Sequence, residues 1–225
     1  MKRITVLLAE DHNIVREGFR SILKHERDIE VVGEAENGRQ AVQLTRKLRP
    51  AVVVMDMAMP LLNGLEATRQ IRKDFPDIRV LILSAHSDDA YVEQVARLGA
   101  SGFLLKQTSS HVLAEAIREV QKGNTFFSPA ISKRLHRRDQ KSLNREGQFK
   151  NKSNRLSSRE VEVLQLIAEG KPNKQVAEEL GVSFKTIDKH RQHLMAKLDI
   201  HDIAGLTRYA IAEGIIESSV QVTIL

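Results

Sequence analysis

Three carboxylates stand where apolar runs of the sequence end. Glu10 and Asp11 follow the first run, ITVLLA, and Asp56 ends a later run, AVVVM. Ser84 and Lys106 end two further runs, RVLIL and GFLL. Carboxylate oxygens are the ligands that Mg²⁺ prefers, and a lysine can neutralise the oxygens of a phosphoryl group. These residue types predict a site that holds Mg²⁺ and offers one carboxylate to a phosphoryl donor.

A single aspartate at the end of a strand is more often a turn residue or a helix cap than a ligand. A role as a turn residue or helix cap would explain Asp11 or Asp56 if either stood alone. Five suitable residues at the ends of four predicted strands favour a site instead. Asp56 is the strongest acceptor candidate, because it ends a central strand and precedes MAMPLLNG, whose Pro and Gly predict a sharp loop.

Alternating strands and helices must position this cluster. Short runs rich in Val, Ile and Leu predict five strands, each followed by a helical pattern. Continuously apolar strands are typical of parallel sheets that are covered on both faces. The predicted fold class is therefore α/β, a doubly wound five-stranded parallel sheet, in which ligands bind beyond the carboxyl ends of the strands. The predicted strands are 4–8, 30–35, 51–55, 79–83 and 101–105, and the helices are 13–25, 38–48, 64–73, 89–98 and 110–121.

Composition narrows the class of protein. A length of 225 residues allows one or two domains, and a hydrophobic fraction of 41% is ordinary for folded chains. No apolar run reaches the ~20 residues that span a bilayer, and MKRITVLLAEDH resembles a buried strand more than a secretory signal. The absence of cysteine excludes disulfides, thiolate metal sites and cysteine nucleophiles. We therefore expect a cytoplasmic protein without a membrane partner.

The net charge of +6 is concentrated in the middle of the chain. Residues 126–155 hold nine Lys+Arg and two Asp+Glu, whereas 1–125 hold 18 and 17, and 156–225 hold eight and ten. The middle segment has few apolar residues and predicts a linker, with Ser128-Pro129 as the start of a short helix. Such a basic segment could contact nucleic acid or only meet solvent. We expect domains at 1–125 and 156–225, joined by the linker 126–155.

The C-terminal region predicts four helices. A short helix, a glycine-containing turn and a longer helix are typical of a helix-turn-helix, whose second helix enters the major groove. The alternative is an amphipathic bundle whose polar face meets only water, which the slightly negative charge of this region favours. The boundary signals are the Ser157–Glu160 capping box, Gly181, the Ser183 cap and a fourth cap at Asp202.

The longer of these helices, about 183–198, divides into an apolar and a polar face. Lysine can read guanine, glutamine can read adenine, and aspartate can accept from cytosine N4. Its apolar face holds Ile187, Leu194, Met195 and Leu198. The candidates for base edges are Lys185, Asp188, Lys189 and Gln192, and the candidates for phosphates are Lys174, Thr186, His190 and Arg191.

The N-terminal pattern resembles the receiver domain of two-component response regulators. The resemblance covers about residues 3–122 and implies a flavodoxin-like fold, in which Asp56 accepts phosphate from a sensor histidine kinase. It implies that Mg²⁺ is held by Glu10, Asp11, Asp56 and the backbone carbonyl of Ala58, and that Ser84, Phe103 and Lys106 form the switch. The residues that carry it are Glu10-Asp11, Asp56-x-x-Met59-Pro60-x-x-x-Gly64, Ser84-Ala85 and Lys106.

One departure concerns the bond after Lys106. Many relatives have Lys-Pro with a cis bond, whereas position 107 is Gln here. A cis bond before a residue other than proline costs ~3 kcal/mol. Both isomers of the Lys106-Gln107 bond therefore stay open.

The C-terminal segment 156–213 resembles a LuxR-type domain, so the whole chain resembles a NarL/FixJ-type response regulator. This implies a DNA-binding transcription regulator rather than an enzyme, which dimerises when phosphorylated and binds paired half-sites in double-stranded DNA. Asp188 stands where Lys is often found, which bears on base preference. The residues that carry the resemblance are Ser158-Arg159-Glu160, Ala168-Glu169-Gly170-Lys171, Asn173-Lys174, Lys185-Thr186-Ile187 and His190.

Two other function classes remain to be weighed. One is a phosphoryl-handling protein whose output is a protein contact or a phosphate sink, which a gel shift with DNA would separate from a regulator. The other is a flavin-binding protein of the flavodoxin type. Acidic strand ends oppose the second, because a flavin phosphate would not enter a carboxylate pocket without a metal.

Overall fold

The computed structural model describes residues 3–85, 92, 95, 96, 98–127 and 156–216. The chain divides into two compact units, Met1–Lys150 and Asn151–Leu225. Among the described residues, no helix combines the length and the apolar character needed to cross a membrane.

The first unit is a parallel sheet whose strands alternate with helices, as the sequence predicts. Its strand order is β2-β1-β3-β4-β5-β6. The topological switch point of the sheet therefore lies between the carboxyl ends of β1 and β3. The strands are β1 (Ile4–Ala9), β2 (Ile29–Ala35), β3 (Val52–Asp56), β4 (Arg79–Ser84), β5 (Gly102–Leu105) and β6 (Phe126–Phe127). The helices are α1 (Asn13–Lys24), α2 (Gly38–Leu48), α3 (Gly64–Asp74) and α4 (Ser110–Gln121).

The strand β6 is an addition to the five predicted strands. Its two residues, assigned to the linker from sequence, pair in parallel with Gly102 and Phe103 of β5. A Cβ at Gly102 would lie 2.4 Å from the Phe126 carbonyl oxygen, so the missing side chain lets β6 approach. Two residues are too few to show a strand pattern in a sequence.

The core of this unit lies on both faces of the sheet, which confirms that the strands are covered on both sides. Residues that alternate along each strand belong to two separate buried clusters. Burying each large apolar side chain contributes about 1.5–3 kcal/mol to folding. One cluster includes Leu7, Val53, Met55, Ile82 and Phe103, and the other includes Val6, Leu8, Val54, Leu83 and Ile117.

Asparagine caps fix where α2 and α3 begin. The side chains of Asn37 and Asn63 accept hydrogen bonds from the backbone N–H groups of Gln40 and Glu66. Of the helix predicted at 89–98, the described residues Val92, Val95 and Ala96 are helical. The other central residues of that helix, and residues 128–155 of the linker with the predicted Ser128-Pro129 helix, lie outside the described residues.

In the second unit, the described residues 156–216 form four short helices around an apolar centre. They are α5 (Ser158–Ala168), α6 (Asn173–Leu180), α7 (Phe184–Leu198) and α8 (Ile203–Ala212). The predicted capping box is present, since the Ser157 N–H donates to Glu160 Oε2 at 2.7 Å and Ser157 Oγ accepts from the Glu160 N–H. Glu160 Oε2 also accepts from Lys197 Nζ at 2.9 Å. The buried centre includes Leu164, Leu166, Val176, Ile187, Leu194 and Leu206.

Candidate functional site

Three strand ends of the first unit place their charged side chains in one group. Lys106 follows β5, and its Nζ lies 2.7 Å from Glu10 Oε2 and 2.9 Å from Asp56 Oδ2. Glu10 and Asp56 are each 2% exposed. The half-buried Lys106 ammonium therefore bridges two buried carboxylates, one after β1 and one at the end of β3.

The carboxylates converge with room for a cation. Glu10, Asp11, His12 and Asp56 each offer one ligand atom, and these atoms lie within 4.8 Å of one another. Glu10, Asp11 and Asp56 each bury one oxygen that contacts a side-chain nitrogen. Lys106 Nζ contacts Glu10 Oε2 and Asp56 Oδ2, and His12 Nδ1 contacts Asp11 Oδ1. Hard carboxylate oxygens that outnumber the nearby positive charges fit Mg²⁺, because the charge of the ion offsets the cost of burying them.

The electrostatics of the site show a shortage of positive charge. Burial and the neighbouring charge of Glu10 raise the pKa of Asp56 to about 7, although Lys106 opposes the shift. Burial lowers the pKa of Lys106, whereas the charge of Asp56 and the hydrogen bonds to both carboxylates raise it. The second effect is larger, so the pKa of Lys106 is raised overall. Lys106 therefore stays protonated, and its single charge does not fully stabilise ionised Asp56.

A glycine fixes the loop that leaves Asp56. A Cβ at Gly64 would lie 1.9 Å from the Asp56 carbonyl oxygen, and the Gly64 N–H donates to the Met57 carbonyl at 2.8 Å. The start of α3 therefore packs directly against the backbone of the acceptor candidate. Ala58, whose carbonyl is the fourth candidate ligand, lies in the loop enclosed by this contact.

Two residues near the site were missed in the sequence. Arg16 is buried, and its Nη1 donates to the Glu10 carbonyl at 2.6 Å, while its other nitrogens contact Glu34 at 3.3 Å and Glu36 at 3.0 Å. His12 Nδ1 lies 2.9 Å from Asp11 Oδ1 and 3.1 Å from Glu10 Oε1. Asp11 is the main cause of the raised pKa of His12. The only signal was the run Asp-His-x-x-x-Arg, which resembles the solvated start of a helix.

The candidate switch residues occupy neighbouring strands. Ser84 ends β4 and is buried, and its carbonyl accepts from the Lys106 N–H at 2.8 Å. Phe103 is fully buried in β5, where it pairs in register with Ile82 of β4. The Lys106-Gln107 bond is trans, as are all the described peptide bonds.

The DNA-contact candidates lie on α6 and α7 of the second unit. Lys174, Lys185, Lys189 and Gln192 are exposed, whereas Thr186, Asp188, His190 and Arg191 are half-buried. Gln192 Nε2 donates to Asp188 Oδ2 at 3.2 Å, so these two base-edge candidates hold each other. Arg191 Nη1 donates to Asn173 Oδ1 at 3.0 Å, which ties α7 to the start of α6.

Comparison with known proteins finds relatives over nearly the whole chain. Residues 6–118 match the response regulator receiver domain, and residues 154–210 match the luxR family of bacterial regulatory proteins. The chain is 37% identical to the transcriptional regulatory protein DegU of Brevibacillus brevis, over 89% of each chain. It is 38% identical to the oxygen regulatory protein NreC of Staphylococcus carnosus, over 94% of this chain and 99% of that one.

Among solved structures, the chain resembles the response regulator RcsB in its complex with DNA. The TM-score is 0.56 at 30% identity, over 92% of this chain and 98% of RcsB. Both halves of the sequence thus match a known family, in the expected order. The chain therefore belongs to the NarL/FixJ-type response regulators, two-component transcription regulators that join a receiver domain to a LuxR-type DNA-binding domain.

Proposed function

We propose that a sensor histidine kinase phosphorylates Asp56 and that this phosphorylation controls DNA binding by the homodimer. The observation that carries the proposal is the bridge from Lys106 Nζ to Glu10 and Asp56. It supplies a fixed cation beside a buried carboxylate, which is what a phosphoryl acceptor needs when negative charge accumulates on the transferred group.

In the proposed transfer, an Asp56 carboxylate oxygen attacks the phosphorus of a phosphohistidine. A P–O bond forms, the P–N bond breaks, and the departing imidazole nitrogen takes a proton. Lys106 stays charged and pairs with the phosphoryl oxygens. Glu10, Asp11, Asp56 and the Ala58 carbonyl would hold Mg²⁺, which when bound neutralises the same oxygens. The chain then acts as a regulator rather than as an enzyme with a separate substrate.

The added charge would change the balance between two states of the receiver. A phosphoryl group brings about −1.5 to −2 charge at neutral pH. Ser84 and Lys106 would be drawn toward it, and Phe103 would repack beside the space that Ser84 leaves. Moving a population from 1:99 to 99:1 requires about 5.5 kcal/mol of preference for one state. Charge-assisted bonds from two groups supply a substantial part of that amount.

The output would be recognition of paired half-sites in double-stranded DNA. The exposed side chains of α7, with Lys174 on α6, support this, as does the likeness to RcsB solved with DNA. The nine cations of 126–155 would add phosphate contacts between a receiver at 1–125 and a DNA-binding domain at 156–225. Since the DNA of a bacterium lies in its cytoplasm, we place the protein there.

The test compares the wild type with Asp56→Asn, using Asp77→Asn as a matched control. Asp77 is exposed in the same unit, between α3 and β4. Each protein is treated with a small phosphodonor and Mg²⁺, and then phosphate incorporation and selection of DNA fragments are measured. We expect the wild type and the control to be phosphorylated and to bind DNA more tightly, whereas Asp56→Asn does neither. Equal phosphorylation and binding by all three proteins would contradict the proposal.

A further inference from the structure

His12 occupies an unusual position for a histidine. It is the residue that precedes α1, where Ser, Thr, Asp or Asn normally caps the helix. Among the described residues of that turn, no N–H group donates to the His12 side chain. The ring turns toward the acidic pocket instead, with Nδ1 2.9 Å from Asp11 Oδ1 and 3.1 Å from Glu10 Oε1.

These separations are hydrogen-bond distances, and they also match the distances between neighbouring ligands of one ion. Adjacent ligands of an octahedral ion with bonds of about 2.1 Å lie about 3.0 Å apart, and opposite ligands lie about 4.2 Å apart. The distances from His12 Nδ1 to the oxygens of Asp11 and Glu10 match the spacing of adjacent ligands. With Asp56 included, all the donor atoms lie within 4.8 Å of one another, which is slightly more than the distance between opposite ligands. The four donor atoms are therefore close enough together to surround one cation.

The surroundings hold this arrangement in place. Arg16 Nη1 donates to the Glu10 carbonyl at 2.6 Å and so fixes the backbone just before His12. Lys106 Nζ holds Glu10 Oε2 and Asp56 Oδ2. The His12 side chain is 67% exposed, so an ion can reach the pocket from solvent past the ring. Groups that orient ligands in this way contribute strongly to metal affinity.

We propose that His12 Nδ1 is a metal ligand of the Glu10–Asp11–Asp56 pocket and makes it favour divalent transition-metal ions relative to Mg²⁺. Three carboxylates alone would form an oxygen site, which suits Mg²⁺. An imidazole nitrogen is a poor ligand for Mg²⁺ and a good one for ions such as Co²⁺, Ni²⁺ and Zn²⁺. The inference rests on the proposed function, because it concerns the same site, and it adds the class of ion that the site prefers.

The experiment measures binding of Co²⁺ and of Mg²⁺ to the full chain by calorimetry, with the visible absorption of Co²⁺ as a second signal. The wild type is compared with His12→Asn and His12→Gln, and with His25→Asn as the matched control. His25 is exposed at the end of α1 and contacts the Ser21 carbonyl rather than the pocket. Displacement of Co²⁺ by excess Mg²⁺ shows that both ions compete for one site.

We expect the Co²⁺ affinity of both His12 variants to fall at least about tenfold. Removing a group that only orients a metal ligand already lowers metal affinity by about that factor or more. Their Mg²⁺ affinity stays within about threefold of the wild type, because a water can replace a nitrogen that Mg²⁺ does not favour. The Co²⁺ spectrum also changes in the His12 variants and not in His25→Asn. Retention of Mg²⁺ binding shows that the variants are folded.

An equal change in both affinities, or no change in either, in variants whose thermal unfolding matches that of the wild type would overturn the assignment of His12. In that case Mg²⁺ binding and phosphorylation of Asp56 by a small phosphodonor would persist in the wild type, and the proposed function would stand. If the wild type bound neither ion and accepted no phosphate, the proposed function and this inference would fail together.

Discussion

Lys197 Nζ donates to Glu160 Oε2 at 2.9 Å and so joins the last turn of α7 to the first turn of α5. The same oxygen accepts from the Ser157 N–H at 2.7 Å. One carboxylate therefore caps α5 and anchors the end of the helix that carries the DNA-contact candidates.

This double role predicts graded effects at position 160. Glu160→Gln keeps an oxygen that can cap the helix and loses only the charge, so we expect a loss of less than about 1 kcal/mol in the free energy of unfolding. Glu160→Ala loses both bonds, and we expect about 1–2 kcal/mol. Urea unfolding of the second unit, followed by circular dichroism, measures both. Equal losses in the two variants would mean that only the charge matters.

The raised pKa of Asp56 predicts a pH-dependent stability difference. The folded pKa is about 7, above the ordinary value of about 3.9. The contribution of protonated Asp56 is therefore fully present below about pH 3.9 and is lost as the pH rises through about 7. Asp56→Asn cannot ionise at this position. With a chelator present, the unfolding free energy of the variant minus that of the wild type should therefore increase by about 2–4 kcal/mol from pH 5 to pH 8.

Urea unfolding at the two pH values checks this expectation. Added Mg²⁺ should reduce the difference, because it stabilises the ionised carboxylate of the folded wild type alone. A difference that stays constant with pH would show that Asp56 ionises normally in the folded protein.

The contact between Gly64 and Asp56 predicts that even a methyl group is not tolerated. Gly64→Ala would place Cβ 1.9 Å from the Asp56 carbonyl oxygen, so the loop or α3 must shift. We expect a loss of at least about 3 kcal/mol in the free energy of unfolding, together with slower phosphorylation. The matched control is Gly18→Ala, which is exposed on α1 with nothing within 4 Å of the added Cβ.

The control should gain about 0.5–1 kcal/mol, because alanine favours the helix more than glycine does. Thermal unfolding and the rate of phosphate incorporation measure the two variants side by side. A Gly64→Ala protein as stable as the wild type would mean that the loop can move away without cost.

The phosphate candidate Lys174, an exposed lysine on α6, predicts a change in the salt dependence of DNA binding. Replacing a lysine that contacts a phosphate lowers the slope of log affinity against log salt by about 1, uniformly across sequences. We expect this for Lys174→Ala, whereas Lys47→Ala, an exposed lysine on α2, leaves the slope unchanged. Fluorescence anisotropy over a salt series gives both slopes. Altered base preference at an unchanged slope would instead assign Lys174 to a base edge.

Most of the fold could be predicted because its signals are local and repeated. The central strands β1, β3 and β4 are largely continuous apolar runs, and Ser157, Ser183 and Asp202 cap their helices where the sequence placed them. The cluster at the strand ends could be predicted because a parallel sheet brings those ends together. What was missed depends on side-chain directions. Arg16 looks like any helical arginine until its contacts with Glu34 and Glu36 bury it.

The candidate DNA-contact residues show the same limit. Arg191 was expected to face phosphate, yet its guanidinium is also held by Asn173 of α6. Spacing on a helix gives the face of a residue to within a turn, but a long side chain can reach sideways to a neighbouring helix. Gln192 and Asp188 likewise form a pair that only their side-chain positions show.

The two-residue strand β6 has a mechanical consequence. Its Phe126 and Phe127 pair in register with Gly102 and Phe103 of β5. Two residues that the sequence assigned to the linker are therefore hydrogen-bonded to the strand that holds Phe103 and leads into Lys106. A shift of β5 would carry β6 with it.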